Sequence, residues 1–366
     1  MPDIHSRLKE IREQKKLPAS ELARRVGVSR QTIYAIEDGT FIPNTAVALR
    51  LGRALGASVE EIFPLAEAID IGAELLTSSD STLVPGQPVR LYPVGERIFA
   101  LPVSPVSSYL PAADGVIEVI AGLSVRVNSL MPLPEGGKTL LIAGCDPALS
   151  FIEQLLGPAG FRVVTIPCSS RRALEWLKQG RIHVAGSHLR ENASSEYNVP
   201  AVKRAFPRGG VKVVTFAEWE EGLAIRQGNP KGIRSIKDLG GKNLSIVNRE
   251  KGSGSRSLLD SGLRKAGIQA RSVTGYDRIA GGHLPAAYEV ASGSADCCLA
   301  TRSAARCFGL EFAPVAAERF DLIMTKAVCE ASAGVALLDL LNRSSLRQRL
   351  RTMAGYDTGR TGTIVM

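Results

Sequence analysis

"NREKGSGSRSLLD" runs from Asn248 to Asp260, directly after the apolar run "LSIV" at 244–247. A strand that ends in a Gly/Ser turn and passes into a helix gathers backbone N–H groups and hydroxyls around one point. The helix dipole adds partial positive charge there. Arg249 and Arg256 flank the turn, and Ser253 and Ser255 lie within it. This is the chemistry of a cradle for an oxyanion or a carboxylate. It is not a Walker loop, because the G-x-x-x-x-G-K-[ST] spacing is absent. It is not a dinucleotide fingerprint either, because G-x-G-x-x-G fails at Ser257. From this stretch alone, an ordinary loop whose arginines pair with surface acids stays open.

Around it, residues 138–366 alternate strand and helix. "TLLIAGCD", "FRVVTIPC", "IHVAGSHL", "GLAIRQGNP", "NLSIVNR", "SVTGYD" and "DCCLAT" read as strands or strand ends. "PALSFIEQLLGPAG", "SSRRALEWLKQGR", "GSRSLLDSGLRKAG", "LPAAYEVASGSA" and "RSAARCFG" read as helices. This alternation predicts a parallel, doubly wound α/β sheet, whose ligands bind outside the carboxyl ends of the strands. Asp146, His188, Tyr276 and Thr301 all stand at such ends. Asp146 precedes Pro147 and is equally placed to cap a helix, as is His283 before Pro285, while Asp296 in "GSAD" is placed to fix its turn.

The 366 residues exceed one ordinary core, so more than one domain is expected. Hydrophobic residues make up 45% and aromatics 5%, which implies cores built from Ala, Val, Leu and Ile. No apolar run is long enough to span a bilayer, and "MPDIHSRLKEIREQ" is not of signal-peptide type, so a cytoplasmic location is expected. The six cysteines contain no C-x-x-C pair and the four histidines are scattered, so free core thiols and no metal centre are expected. The net charge of +9 is uneven. Residues 1–65 carry ten Lys/Arg against eight Asp/Glu, residues 66–137 three against eight, and residues 138–366 32 against 20. The excess at the far end fits an anionic ligand, proximity to DNA, or plain solubility.

Residues 1–65 read as a helical bundle with Ile4, Leu8 and Ile11 on one face and Leu22, Val26, Val28, Ile33 and Ile36 as a shared core. Ser20 and Ser29 are candidate N-caps, and Gly27 and Gly39 candidate stops. Residues 66–137, rich in Pro and Gly between short β-prone runs, read as a small β-rich module linking head and sheet.

"ASELARRVGVSRQTIYAIEDGTFIPN" matches, in order, the "ELA", "VGVS", "QT", "IE" and "G" of the phage-repressor-like (XRE) helix-turn-helix regulators, and residues 5–65 resemble that family. The resemblance implies an all-α head whose second helix enters the major groove of a double-stranded operator. Arg30 and Gln31 would then read bases, with Tyr34 and Thr32 near phosphates or a thymine methyl. Ser20, Ser29 and Asn44 would lie at the backbone. Ala35 stands where some relatives carry a reading amide, so fewer base contacts are implied. A helical dimerisation module is the alternative.

"AGCDPAL", "AGSHL", "GNPKGI", "VNREKGSGSR", "VASGSAD" and "GLEFAPVAAERFDL" resemble, in order, the type 2 periplasmic-binding-protein-like domain of the molybdate-binding family, as found fused to regulators. The resemblance implies two lobes closing on a solute, an oxyanion such as molybdate or a carboxylate. The pocket would draw on Asp146, His188, Arg249, Ser253, Ser255, Arg256, Tyr276, His283 and Thr301. "CCLAT" departs from the glycines common after the Asp, so Cys298 and Thr301 would narrow one wall. The chain thus reads as a multidomain, non-enzymatic, ligand-responsive transcriptional regulator without cofactor or metal, and a homodimer. The expected domains are 1–65, 66–137 and 138–366. An effector-free dimeric DNA-binding protein and an enzyme on the two-lobed fold are the alternatives. Against the enzyme, neither G-x-S-x-G nor H-E-x-x-H appears.

Overall fold

The computed structural model describes residues 6–64, 69–77, 83–103, 113–191, 196–240 and 243–366, so Ile4 lies outside the described residues. Helices α1 (Leu8–Gln14), α2 (Ala19–Val26), α3 (Arg30–Glu37), α4 (Thr45–Leu55) and α5 (Val59–Ile62) form the head. Their starts follow local chemistry. Ser29 Oγ accepts from Thr32 N–H and Asn44 Oδ1 from Val47 N–H, each at 3.0 Å, while Ser58 and Glu61 cap one another reciprocally. Ser20 is not a cap. The N-cap of α2 is Pro18, whose φ of −62° extends the chain before the helix, and Ser20 is exposed in the first turn. Gly27, at φ +76°, ends α2 in the left-handed region. Leu8, Leu22, Val26, Ile33, Ile36 and Leu51 are fully buried. The Arg12 guanidinium reaches Glu37 at 2.6 Å, with the Glu37 side chain 2% exposed, and this buried pair ties the end of α3 to α1.

Strands β1 (Ile69–Leu75), β2 (Pro88–Val94), β3 (Arg97–Pro102), β4 (Gly115–Ala121) and β5 (Ser124–Ser129) follow, closed into a barrel in the order β1-β3-β2-β4-β5. The chain divides into two compact units. One comprises residues 1–72, 83–90 and 103–132, and the other 73–82, 91–102 and 133–366.

In the second unit, β6 (Thr139–Gly144), α6 (Ser150–Leu156), β7 (Arg162–Pro167), α7 (Ser170–Lys178), β8 (Val184–Ser187) and α8 (Val199–Ala205) lead into β9 (Val211–Ile225). Next come β10 (Ile246–Arg249), α9 (Gly254–Lys265), β11 (Ile279–Ala280), α10 (His283–Ala291), β12 (Cys297–Thr301), α11 (Arg302–Cys307) and β13 (Glu311–Thr325). The chain closes with α12 (Lys326–Glu330), α13 (Ser332–Asn342), α14 (Ser344–Thr352) and β14 (Tyr356–Asp357). The sheet order is β11-β10-β12-β9-β13-β8-β6-β7. The parallel βαβ reading holds within each lobe, β6 pairing with β7 and β8, and β10 with β11 and β12. Between them it does not: β9 and β13, 15 residues each, run antiparallel to one another and belong to both lobes. "SVTGYD" forms no strand beyond one bridge, Ser245 to Thr274; the edge strand falls just after it, at β11.

Register shifts between Pro314 and Ala316 and between Phe320 and Asp321 bracket the segment Ala316–Phe320 opposite Ala217–Glu221. Bulges kink a strand and increase its twist, so this segment is where the strands pass from one lobe to the other. A Cβ at Gly222 would stand 2.2 Å from the Ala313 carbonyl oxygen, so the strands approach too closely there for a side chain. Apolar cores lie on both faces of each lobe. Leu140, Phe216, Phe320 and Leu337 form one in the first lobe, and Leu223, Ile246, Leu259 and Val273 one in the second.

Gly222→Ala should cost about 1–3 kcal/mol or more, because backbone cannot retreat from the added methyl. Urea unfolding of the full chain reads this, and unchanged stability would remove the close approach from the account. Glu37→Ala strands the half-buried Arg12 and should cost the head about 3–5 kcal/mol, read as loss of helical circular dichroism at lower denaturant.

Candidate functional site

On the head, Arg30, Gln31 and Tyr34 are exposed on α3, and Thr32 is half-buried. Arg30 is already oriented: its Nε and Nη2 donate to the Tyr34 hydroxyl at 2.9 and 2.7 Å. Ser29 and Asn44, exposed, spend their side-chain oxygens on helix caps, which leaves the helix N-termini facing solvent.

The other site lies at the strand crossing within the second unit. Trp219, Glu221 and Glu318 come from the crossing segments of β9 and β13, while Cys145 and His188 follow β6 and β8 of the first lobe. Arg249 ends β10, Ser255 opens α9 and His283 opens α10 in the second lobe. The alternation of a strand separates the acids of "AEWEEG". Glu218 and Glu220 pair outward with Arg360 and Arg302, whereas Glu221 is fully buried inward. It lies between two histidines, 3.8 Å from His188 Nδ1 and 4.0 Å from His283 Nδ1. Glu318 stands 3.7 Å from His188 Nδ1. The Trp219 ring meets both imidazoles edge-on, at centroid distances of 5.3 and 5.7 Å.

All of these separations exceed a hydrogen bond. Both nitrogens of His188, both of His283, both oxygens of Glu221, Arg249 Nη1, Ser255 Oγ and Asp146 Oδ2 are buried without a partner. Burial pushes the Glu221 carboxyl up. It pushes His283 well down, with Arg249 and His188 adding to that, so His283 is neutral. Burial also opposes charge on His188, but Cys145, Glu318 and Glu221 outweigh it and hold its pKa well above the usual imidazole range. Asp146 is raised to about 7 by burial, against its bonds from Tyr356 and Ala148.

The expected site residues therefore fall into two groups. His188, His283, Arg249, Ser255 and Asp146 each turn an unpartnered atom into the interior. Asp146 is also the cap that its place before Pro147 allows, accepting from Ala148 N–H at 2.8 Å and from the Tyr356 hydroxyl. Ser253, Thr301, Arg256 and Tyr276 are engaged locally. Ser253 and Thr301 cap α9 and α11, Arg256 donates to the Arg249 carbonyl and stacks 4.0 Å over Tyr276, and Tyr276 donates to Asp260. His283 does not cap α10: its nitrogens make no such bond. Asp296 bonds away from its own turn, accepting from Ser245 N–H at 2.8 Å, the Ser245 hydroxyl and Lys231, so it ties the start of β12 to the chain entering β10. The six cysteines are free thiols. The histidines, scattered in the sequence, are not all scattered in the fold, which brings His188 and His283 together with Cys145. Gly254 packs so closely on His188 that a Cβ would lie 2.4 Å from the ring, which sets the α9 N-terminus directly against the imidazole. Glu221, Glu318, Cys145, Trp219 and Tyr356 were not anticipated. A hydrophobic stretch broken by an acid at strand period, "EEGLAI", is the one trace of Glu221 in the sequence.

With this geometry in view, the comparisons with known proteins are direct. Residues 153–342 match the PBP superfamily domain and residues 8–62 a helix-turn-helix domain. The chain belongs to the PBP superfamily-domain family, here carried behind an XRE-type helix-turn-helix head. YvgK of Bacillus subtilis (strain 168) is 30% identical over 237 residues, covering 64% of this chain and 75% of that protein. An HTH-type transcriptional regulator of Methanothermobacter thermautotrophicus is 48% identical over 61 residues, 16% of this chain and 88% of that protein. Among solved structures, the tungstate ABC transporter of Geobacter sulfurreducens superposes with TM-score 0.45 at 15% identity, covering 59% of this chain and 98% of that one. No helix among the described residues is long and apolar enough to cross a membrane.

Tyr356→Phe leaves Asp146 Oδ1 only the Ala148 N–H and should lower unfolding free energy by about 1–3 kcal/mol. Urea titration at neutral pH measures it, and wild-type stability would mean that the pair contributes nothing.

Proposed function

We propose that the chain is a solute-responsive regulator of transcription. The head binds an operator, and the interlobe cleft holds a small solute that bears an anionic group. The observation that carries the reading is the set of buried, unpartnered polar atoms at the strand crossing. Buried polar groups are ordinarily bonded, and a binding domain that gathers several without protein partners in one place is shaped to offer them to a ligand. Arg249 Nη1, Ser255 Oγ and the α9 N-terminus form the anion-facing side. Asp146, His188 and His283 contribute hydrogen bonds. Ser253, Arg256, Tyr276 and Thr301 act through the cap and stacking contacts that hold this side in place. Closure of the lobes around β9 and β13 is the conformational step that a solute would bias.

On DNA, Arg30 and Gln31 read bases, with Thr32 and Tyr34 beside them, and Ser20, Ser29 and Asn44 lie against phosphates. Two copies on paired half-sites suit a head of this size. The chain is not an enzyme on this reading, since turnover is not needed for the signal.

Arg30→Ala or Gln31→Ala should cost about 1–3 kcal/mol of specific binding and relax sequence preference. Quantitative footprinting measures this, and an unchanged footprint in the double variant defeats the recognition-helix assignment. In a thermal-shift screen of oxyanions and carboxylates, a true effector at 100 times its Kd should stabilise the second unit by about 2.7 kcal/mol. Arg249→Gln should remove most of that gain. By reciprocity, calorimetric affinity for the effector must differ with and without operator; equal affinities leave a binding site but no switch.

A further inference from the structure

We infer that Cys145, His188 and His283 form a site for a transition-metal dication in the interlobe cleft. The inference rests on the reading that this cleft is the ligand site, and it concerns residues other than Arg249 and Ser255. A ligating sulfur or nitrogen from each of the three first-named residues lies within 4.8 Å of the others, and all three residues are buried. Around a tetrahedral zinc-like ion, with bonds of roughly 2.0–2.3 Å, neighbouring ligand atoms sit about 3.3–3.8 Å apart. The three donors lie close enough to reach this geometry by a small inward movement.

The donor set fits a cation better than any other occupant. A thiol and two imidazoles are the soft and borderline ligands of zinc, cobalt, nickel or copper, and calcium or magnesium would demand oxygen. His283 offers two ring nitrogens with no partner for either. Glu221 and Glu318, both close to His188, add to the attraction of a dication. Structural use of these groups would show as hydrogen bonds among them, and neither histidine nor Glu221 makes any.

The position also has a consequence. Cys145 and His188 belong to the first lobe, His283 to the second, and Glu221 to the strand that crosses between them. One ion bound to Cys145, His188 and His283 ties the lobes across their hinge. A cavity of about 350 Å³ lies beside His188, lined also by Gly254 and Glu318.

The test is Co2+ titration of the full-length, metal-free protein followed by absorption spectroscopy. One equivalent should give the intense visible bands of a tetrahedral site and a thiolate-to-cobalt charge-transfer band, with Zn2+ displacing both. Cys145→Ser should abolish the charge-transfer band. Cys307→Ser, which removes the exposed thiol, should leave it intact. If Cys145→Ser does not fold, His283→Gln serves instead and should weaken the visible bands. Absence of the band in wild type, or its survival in Cys145→Ser, overturns the site. Arg249→Gln separates the two readings. Its loss of anion-dependent stabilisation with an unchanged cobalt spectrum supports both, whereas anion stabilisation of wild type without any cobalt spectrum keeps the cleft as an anion site and overturns the metal. If neither anions nor cobalt bind, both fall.

Discussion

A carboxylate buried between two imidazoles, with no hydrogen bond to either, sets the terms for the rest of the second unit. Each buried polar group without a partner costs about 1–3 kcal/mol, and the cleft gathers several of them around Glu221. The surrounding sheet must therefore hold the site against relaxation. β9 and β13 do so by running 15 residues each through both lobes, so that Glu221 and Glu318 cannot move without moving the sheet that the lobes share. The C-terminal segment fixes β9 further: Thr361 Oγ1 donates to the Phe216 carbonyl and Val365 N–H to the Val213 carbonyl, both at 2.8 Å. Asn198 locks the chain beyond His188, accepting from Leu189 N–H and donating to Asp321, again at 2.8 Å. This is the preorganisation expected of a site built on rigid elements with a supporting shell.

The same logic explains what the sequence disclosed. Caps and turns are local chemistry, so Ser29, Asn44, Gly27 and the "GSGSR" turn could be placed from the residues alone, and the head and the strand–helix alternation followed from them. The cleft is different. Cys145 reads as a core thiol, and in the first lobe it is one until His283 arrives from 138 residues further along the chain. Glu221 sits in a run of acids whose two neighbours face solvent, and only the strand's period, once its register is known, turns it inward. Long-range pairing of β9 with β13 has no local signature, because β9 is buried along nearly its whole length while β13 is buried mainly in its second half, so neither shows a plain two-residue alternation. Ser20 is not the cap for a smaller reason, since Pro18, two residues earlier, is already the extended residue from which the helix starts.

Arg256 illustrates the limit of reading a loop by its charges. Flanking a Gly/Ser turn, it reads as a ligand-facing cation. In the fold its guanidinium donates to the Arg249 carbonyl, lies 3.4 Å from Asp260 and stacks on Tyr276, so it braces β10 against α9. The free guanidinium nitrogen of the pair belongs to Arg249, which is 1% exposed and salt-bridged to Glu250 through its other nitrogens. A fixed, partly satisfied guanidinium recognises an anion with less ordering cost than a mobile surface one.

Electrostatics divides the labour in the head as well. Arg24 and Arg25 both bond Glu21, Arg12 is spent on Glu37, and Arg50 donates to the Val26 carbonyl at the end of α2. These cations stabilise the helix-turn-helix before they can serve DNA. Phosphate neutralisation supplies most non-specific affinity and scales with the number of cations free to make it. A head with ten basic and eight acidic residues in its first 65 therefore keeps few cations for that source, and Arg30, exposed on α3 and bonded to the Tyr34 hydroxyl through Nε and Nη2, is one that no acid among the described residues of the head neutralises by an ion pair.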